Sequence, residues 1–419
     1  MINKTVLGNG VRVVTESVPA VHSVSIGIWV KTGSRHENGG EKGIAHFIEH
    51  MLFKGTEKRS ACEISRLIDS VGGSINAFTS KEYTCFYVKV LNRHLALAVD
   101  LLSDIFFKSV FDEEEIEKER NVIFQEISMV RDTPDDYIQD LFIQSYFGNH
   151  PLASAILGEP ETVQRFTRGN LLDFFAHRHL VSEKIIISAA GNIVHEDVLA
   201  QVAKSFGHLA SADTDAVRSV FLPERKLSCH YRDLEQVHVC LGTMGYSQDD
   251  DRRYGLYVLN AILGGSMSSR LFQEVREKRG LAYSVFSFMS SFKDTGLFGI
   301  YTGVKKENTL ETLEIVMKEL ARLAKEAVHA DALKDAKEQL KGSMLLSLES
   351  TDNRMSRIAR SEIYYDKYIP IDDIIEKIDA VKAETVRETA REIFRDELFT
   401  FTFLGPVEEK EIPAETLRL

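Results

Sequence analysis

The 419-residue chain is short of cysteine: Cys62, Cys85, Cys229 and Cys240 are scattered, and no C-x-x-C occurs. That excludes a disulfide framework and a cysteine-built zinc site, so the four read as reduced, mostly buried thiols. Excess positive charge is missing too. Lys and Arg number 51 against 63 Asp and Glu, a formal net charge of -12, which leaves no basic footprint for nucleic acid or anionic lipid. No run of 18 apolar residues occurs, so no membrane-spanning helix is expected. Residues 1–30 carry neither a charged start followed by an apolar stretch nor an Arg/Ser-rich presequence. Val11-Arg12-Val13-Val14-Thr15 already alternates as a strand does. The fold is therefore expected to begin at once, in a bacterial cytoplasmic protein. With 44% hydrophobic and 27% charged residues, the chain is globular and long enough for two domains.

Against these absences stands one short segment, His46-Phe47-Ile48-Glu49-His50. On a helix, positions i, i+3 and i+4 share a face, so His46, Glu49 and His50 project together. Neutral imidazoles four residues apart suit one Zn²⁺ ion, and the carboxylate between them is placed to take a proton from a water at the metal. The order H-x-x-E-H is the inverzincin signature. The competing reading is a surface helix with two titrating histidines. Its flanks oppose that, because Ile44, Phe47, Ile48, Met51, Leu52 and Phe53 make the segment apolar on nearly every side. Such a helix is buried, and buried His and Glu need partners.

Periodicity places a strand at Val11–Glu16 and another at Ser23–Lys31, read as a hairpin around Pro19. The motif helix, a helix from Ala61 stopped by Gly72-Gly73, and strands at Ser74–Thr79 and Thr84–Val90 follow. Helices are expected at Leu95–Phe107, Asp112–Arg131 and Pro134–Gly148. The second half repeats this order: a strand at Val237–Gly242, helices at Tyr254–Leu263 and Leu271–Lys278, strands at Ala282–Ser291 and Leu297–Val304, and a helix at Thr309–Ala327. Setting Gly43 against Gly255 places the motif over Val258, Ala261 and Ile262, so the second copy lacks the ligands. Ser205–Leu227 reads as the linker. The expectation is an α+β chain of two structurally repeated domains, 1–212 and 213–419.

Catalytic zinc takes three protein ligands and keeps a position for water. Glu119 and Glu126 lie two helical turns apart on one stripe, with Val122 and Ile123 expected on the same inward side. Spacing alone leaves several carboxylates of this acidic helix open as the third ligand, beside the plain alternative of a solvated face.

The string from His46 through Met51-Leu52-Phe53-Lys54-Gly55-Thr56, followed by Gly72-Gly73 and Asn76-Ala77-Phe78-Thr79, resembles the pitrilysin (insulinase) family of zinc peptidases. Within it the resemblance is to the catalytic β subunit of mitochondrial processing peptidase and its bacterial relatives, and it extends over essentially the whole chain. It implies two domains, each a mostly antiparallel sheet with packed helices, forming part of a chamber. It implies one Zn²⁺ per chain, held by His46, His50 and a glutamate 76 residues beyond the second histidine, which is Glu126. Glu49 is then the general base, and Glu119, seven residues before Glu126, an accessory carboxylate. Arg276 and Tyr283 match a pair that reaches the substrate near the metal. Asp136 and Asp140, ten and fourteen residues past Glu126, match acidic positions that hold an arginine near the cleavage point. Where the β subunit carries glutamate, this chain has Asp136. Ser74–Thr79, with Asn76, Ala77 and Phe78, is expected to be the edge strand on which an unfolded peptide lies. The resemblance implies a homodimer, or a heterodimer with a related chain. Its competing implication is a non-catalytic partner or core subunit, though such subunits usually lose part of the motif and this chain keeps all of it.

Overall fold

The structure is a computed structural model describing residues 1–210 and 221–419. The cut at 212/213 and part of the expected linker lie outside the described residues. Within them, a helix runs on to Phe206 and Lys226 begins a strand, so the connection is shorter than read.

Two sheets organise two compact units. The first contains β1 (Ile2–Val6), β2 (Arg12–Ser17), β3 (Ser23–Val30), β4 (Ser74–Thr79), β5 (Thr84–Leu91) and β6 (Ile185–Gly191), in the order β1-β2-β6-β3-β5-β4. The second contains β7 (Lys226–Tyr231), β8 (Val237–Gly245), β9 (Ala282–Ser291), β10 (Gly296–Val304) and β11 (Thr400–Gly405), ordered β7-β11-β8-β10-β9. Strand for strand the orders agree once β1 is set aside. Each sheet is antiparallel except for one pair at the same place, β2 with β6 and β7 with β11. The repeat is therefore architectural, and the α+β reading holds. The expected β2–β3 hairpin does not form. β6 inserts between them and pairs with both, because the apolar run Ile185-Ile186-Ile187 needs neighbours on both sides.

Five helices of the first half are α1 (Ile44–Met51), α2 (Ala61–Asp69), α3 (Leu95–Lys108), α4 (Glu113–Asp132) and α5 (Pro134–Phe147). One face of the first sheet (Val24, Ile26, Ile28, Phe86, Val88) packs on α1 and α3 through Phe47, Ile48 and Phe106. Its other face (Val14, Trp29, Cys85, Ile186) is covered by Met355, Ile358 and Ala359 of helix Thr351–Tyr365. The second sheet is covered on one face by helices Arg253–Leu263, Thr309–Lys325 and Ala383–Ile393. Its other face receives Ile138, Phe142 and Tyr146 of α5. Gly242 makes this possible, since a Cβ there would meet Phe142 Cζ at 2.5 Å.

These contacts group segments of both halves into each unit. The first unit comprises Met1–Met129, a stretch beginning at Ser154, and Ser347–Ile369; residues 130–153 and 370–419 belong to the second. The apolar stripes of α5 and of helix Thr351–Tyr365 each complete the sheet of the other half. No described helix is long and apolar enough to cross a membrane. All four cysteines are free.

Candidate metal centre

α1 starts at Gly43, whose φ of 91° is left-handed and where a Cβ would meet Leu157 O at 2.7 Å. The first turn is capped by Glu37, whose carboxylate accepts the backbone N–H of Gly43 (2.9 Å) and Ala45 (3.0 Å). Burial pushes the Glu37 carboxyl up to about 8 despite these two donors. Ile44, Phe47, Ile48 and Met51 bury one face of α1. The other face presents His46, Glu49 and His50.

α4 is seated by Ile116, Ile123 and Ile127, all buried. Arg120 donates to the carbonyls of Val163 and Phe166 and lies 5.6 Å over the Phe47 ring. The helix thereby brings Glu119 and Glu126 to the histidines. Val122 departs from expectation, 39% exposed while Ile123 is fully buried. At about 100° per residue, the two flank Glu126 on opposite sides.

His46 Nε2 and His50 Nε2 each stand 3.6 Å from the same atom, Glu126 Oε2. Those separations are too long for hydrogen bonds. They are close to the ~3.3 Å edge of a tetrahedron with zinc–nitrogen bonds of about 2.0–2.1 Å. Ligand atoms of the three residues all lie within 4.8 Å of one another, and no other such cluster occurs among the described residues. Burial, aided by the charge of His50, lowers His46 to about 3, which keeps it neutral as a ligand must be. The donor set fits zinc.

His50 Nδ1 donates to Glu119 Oε2 at 3.0 Å, which turns Nε2 toward the cluster. Lys54 Nζ neutralises the other oxygen of Glu119 at 2.6 Å. Burial acts to lower the His50 pKa, but the Glu119 hydrogen bond and the nearby carboxylates outweigh it and raise it. Glu119 is pushed up by burial and held down by its bonds to His50 and Lys54, with a net lowering. Glu49 is raised by burial and opposed by Thr79, whose Oγ1 donates to Glu49 Oε2 at 2.6 Å. Neither Lys54 nor Thr79 was singled out as a site residue from sequence. Both stand inside the strings that carried the resemblance.

β4 is the edge strand expected. Its side chains alternate: Ile75 and Ala77 face the core beneath α1, and Phe78 packs on Trp29, Tyr83 and Tyr87 on the opposite face. By the same period Asn76 lies on the Phe78 face. Arg276, Tyr283, Asp136 and Asp140 belong to the second unit. There Arg276 Nη1 donates to Tyr283 O at 3.0 Å and lies 4.7 Å over the Tyr283 ring, itself 79% exposed. Asp136 and Asp140 lie one turn apart on α5.

Residues 12–160 match the family described as Insulinase (Peptidase family M16), and residues 165–340 the Peptidase M16 inactive domain. The zinc protease YmxG of Bacillus subtilis, described as uncharacterized, is 44% identical over 97% of this chain and 98% of its own. The chain belongs to the M16 insulinase family. A Streptomyces coelicolor relative, again called a zinc protease, is 40% identical over 98% of this chain and 91% of its own. M16 membership accounts for the ligand-free second copy, where Val258 and Leu259 are fully buried. A protease structure from Helicobacter pylori shares the fold, with TM-score 0.90, 23% identity, and coverage of 97% of this chain and 99% of that one. So does an M16 inactive-domain structure from Pseudomonas fluorescens, with TM-score 0.89, 20% identity, and coverage of 97% and 98%. This M16 chain is a zinc-dependent metalloprotease.

Proposed function

We propose that the chain is an endopeptidase for short or unfolded peptides, with His46, His50 and Glu126 as zinc ligands and Glu49 as general base. The convergence of two imidazole nitrogens on one Glu126 oxygen, with Glu49 on the same helical face, carries this reading. Zinc, when bound, supplies a Lewis acid that makes a water acidic enough to attack at neutral pH. Glu49 takes that water's proton and delivers it to the leaving amine. Glu119 fixes the ring of His50, and Lys54 balances its charge. Arg276 and Tyr283 are the proposed donors to the scissile carbonyl oxygen, supported by their residue types and by the exposure of Tyr283.

Strand addition to β4 supports an unfolded substrate. The Ser80 N–H bonds Tyr83 O at 2.8 Å, so the neighbouring pair Thr79–Thr84 is of the non-bonded kind. Backbone groups of Ile75, Ala77 and Thr79 then face the edge, where Ala77 N–H donates to Asn76 Oδ1 at 2.8 Å. Asp136 and Asp140 support a preference for Arg or Lys near the cleavage point. Two repeated units, against four in longer family members, support pairing with a copy of the chain or a related one. The cytoplasm is the compartment proposed. Cleavage of quenched peptides with and without arginine, by wild type and by Asp136→Asn/Asp140→Asn, tests the preference. The double variant should lose discrimination while still cleaving neutral peptides.

A further inference from the structure

We infer that Thr79 is a positioning residue for the general base, and that it ties the orientation of Glu49 to the strand that receives the peptide. This rests on the assignment of Glu49 as base. A carboxylate on a flexible side chain must present one oxygen to the water while the other is held still. In this site Oε2 accepts the Thr79 hydroxyl at 2.6 Å, a short charge-assisted bond, and the Thr79 backbone N–H acts on the same carboxylate, so one residue holds its orientation. The bond is set by the backbone. Thr79 ends β4 immediately before the Ser80–Tyr83 turn, and its side chain falls on the α1 side of the sheet, as those of Ile75 and Ala77 do. β5 fixes one side of the strand through the register Ala77↔Phe86 to Thr79↔Thr84. The other side is the sheet's edge, and Thr79 is among the residues whose backbone faces it, beside the Glu49 carboxylate. A peptide added there would immobilise the residue that aims the base. Substrate docking and base orientation thus meet in one residue, and the hydroxyl itself is required.

Three variants of the full-length protein test this, each checked for one zinc per chain and an unchanged melting temperature. Thr79→Val keeps the shape and removes the hydroxyl, whereas Thr79→Ser keeps the hydroxyl. Glu49→Gln controls the base. Loss of a hydrogen bond to a charged group predicts that Thr79→Val lowers kcat about 10- to 100-fold with KM and zinc content unchanged. Thr79→Ser should recover most of the rate. Wild-type kcat in Thr79→Val overturns the inference, as does a Thr79→Ser enzyme no better than the valine variant. An active Glu49→Gln enzyme would instead remove the base assignment, whatever the threonine variants do.

Discussion

At the scale of single residues, two chemistries are separated by one position on α1. Glu49 is placed to move a proton and His50 to hold the metal, so their substitutions should divide. Glu49→Gln should retain one zinc per chain and lose peptide cleavage, whereas His50→Ala should lose both; metal analysis beside an activity assay distinguishes them. Glu119 acts through His50. Glu119→Gln should weaken zinc binding about 10- to 100-fold, read by competition with a chromophoric chelator, without removing the site. The spacing of His46, Glu49 and His50 was legible because three residues on one helical turn determine their own geometry. Glu126 was not legible from spacing alone, since neighbouring carboxylates on an acidic helix differ only in the partner each faces. Val122 shows the same limit: it was expected inward with Ile123, and it lies on the open side of Glu126.

At the scale of elements, the helix that carries the ligands is held at its start by a buried acid. Glu37 has a folded-state pKa of about 8 against an ordinary 4.5. The folded chain therefore keeps a proton that the unfolded chain releases between those values. That contribution to stability is full below pH ~4.5 and is lost as pH rises toward ~8. Below pH ~6.5 this is opposed by His46, whose lowered pKa makes stability rise with pH; above it, toward pH ~8, melting temperatures of the metal-free protein should fall with rising pH, and Glu37→Gln should flatten that slope. The β4–β5 hairpin and the glycine end of α2 were legible because both are local; Gly73 N–H caps back to Ile68 O at 3.0 Å. The β2–β3 hairpin was misread because its true neighbour, β6, arrives more than 150 residues later.

At the scale of the molecule, the repeat was visible in the order of elements, and the exchange of one helix between the halves was not. An amphipathic helix shows its apolar stripe without naming the sheet that will cover it. Helix Thr351–Tyr365 buries Trp29, the chain's single tryptophan, through Met355, Ile358 and Ala359. A fragment ending at residue 210 should therefore show red-shifted tryptophan emission and early unfolding compared with the full chain. A fragment with native-like emission would contradict the exchange. The most direct test of the central claim is cleavage of a quenched fluorogenic arginine-containing peptide, with and without o-phenanthroline, beside metal content by mass spectrometry. Chelator-sensitive cleavage with one zinc per chain, abolished in Glu49→Gln, is the predicted result. Stoichiometric zinc with no cleavage of any unfolded peptide would contradict it.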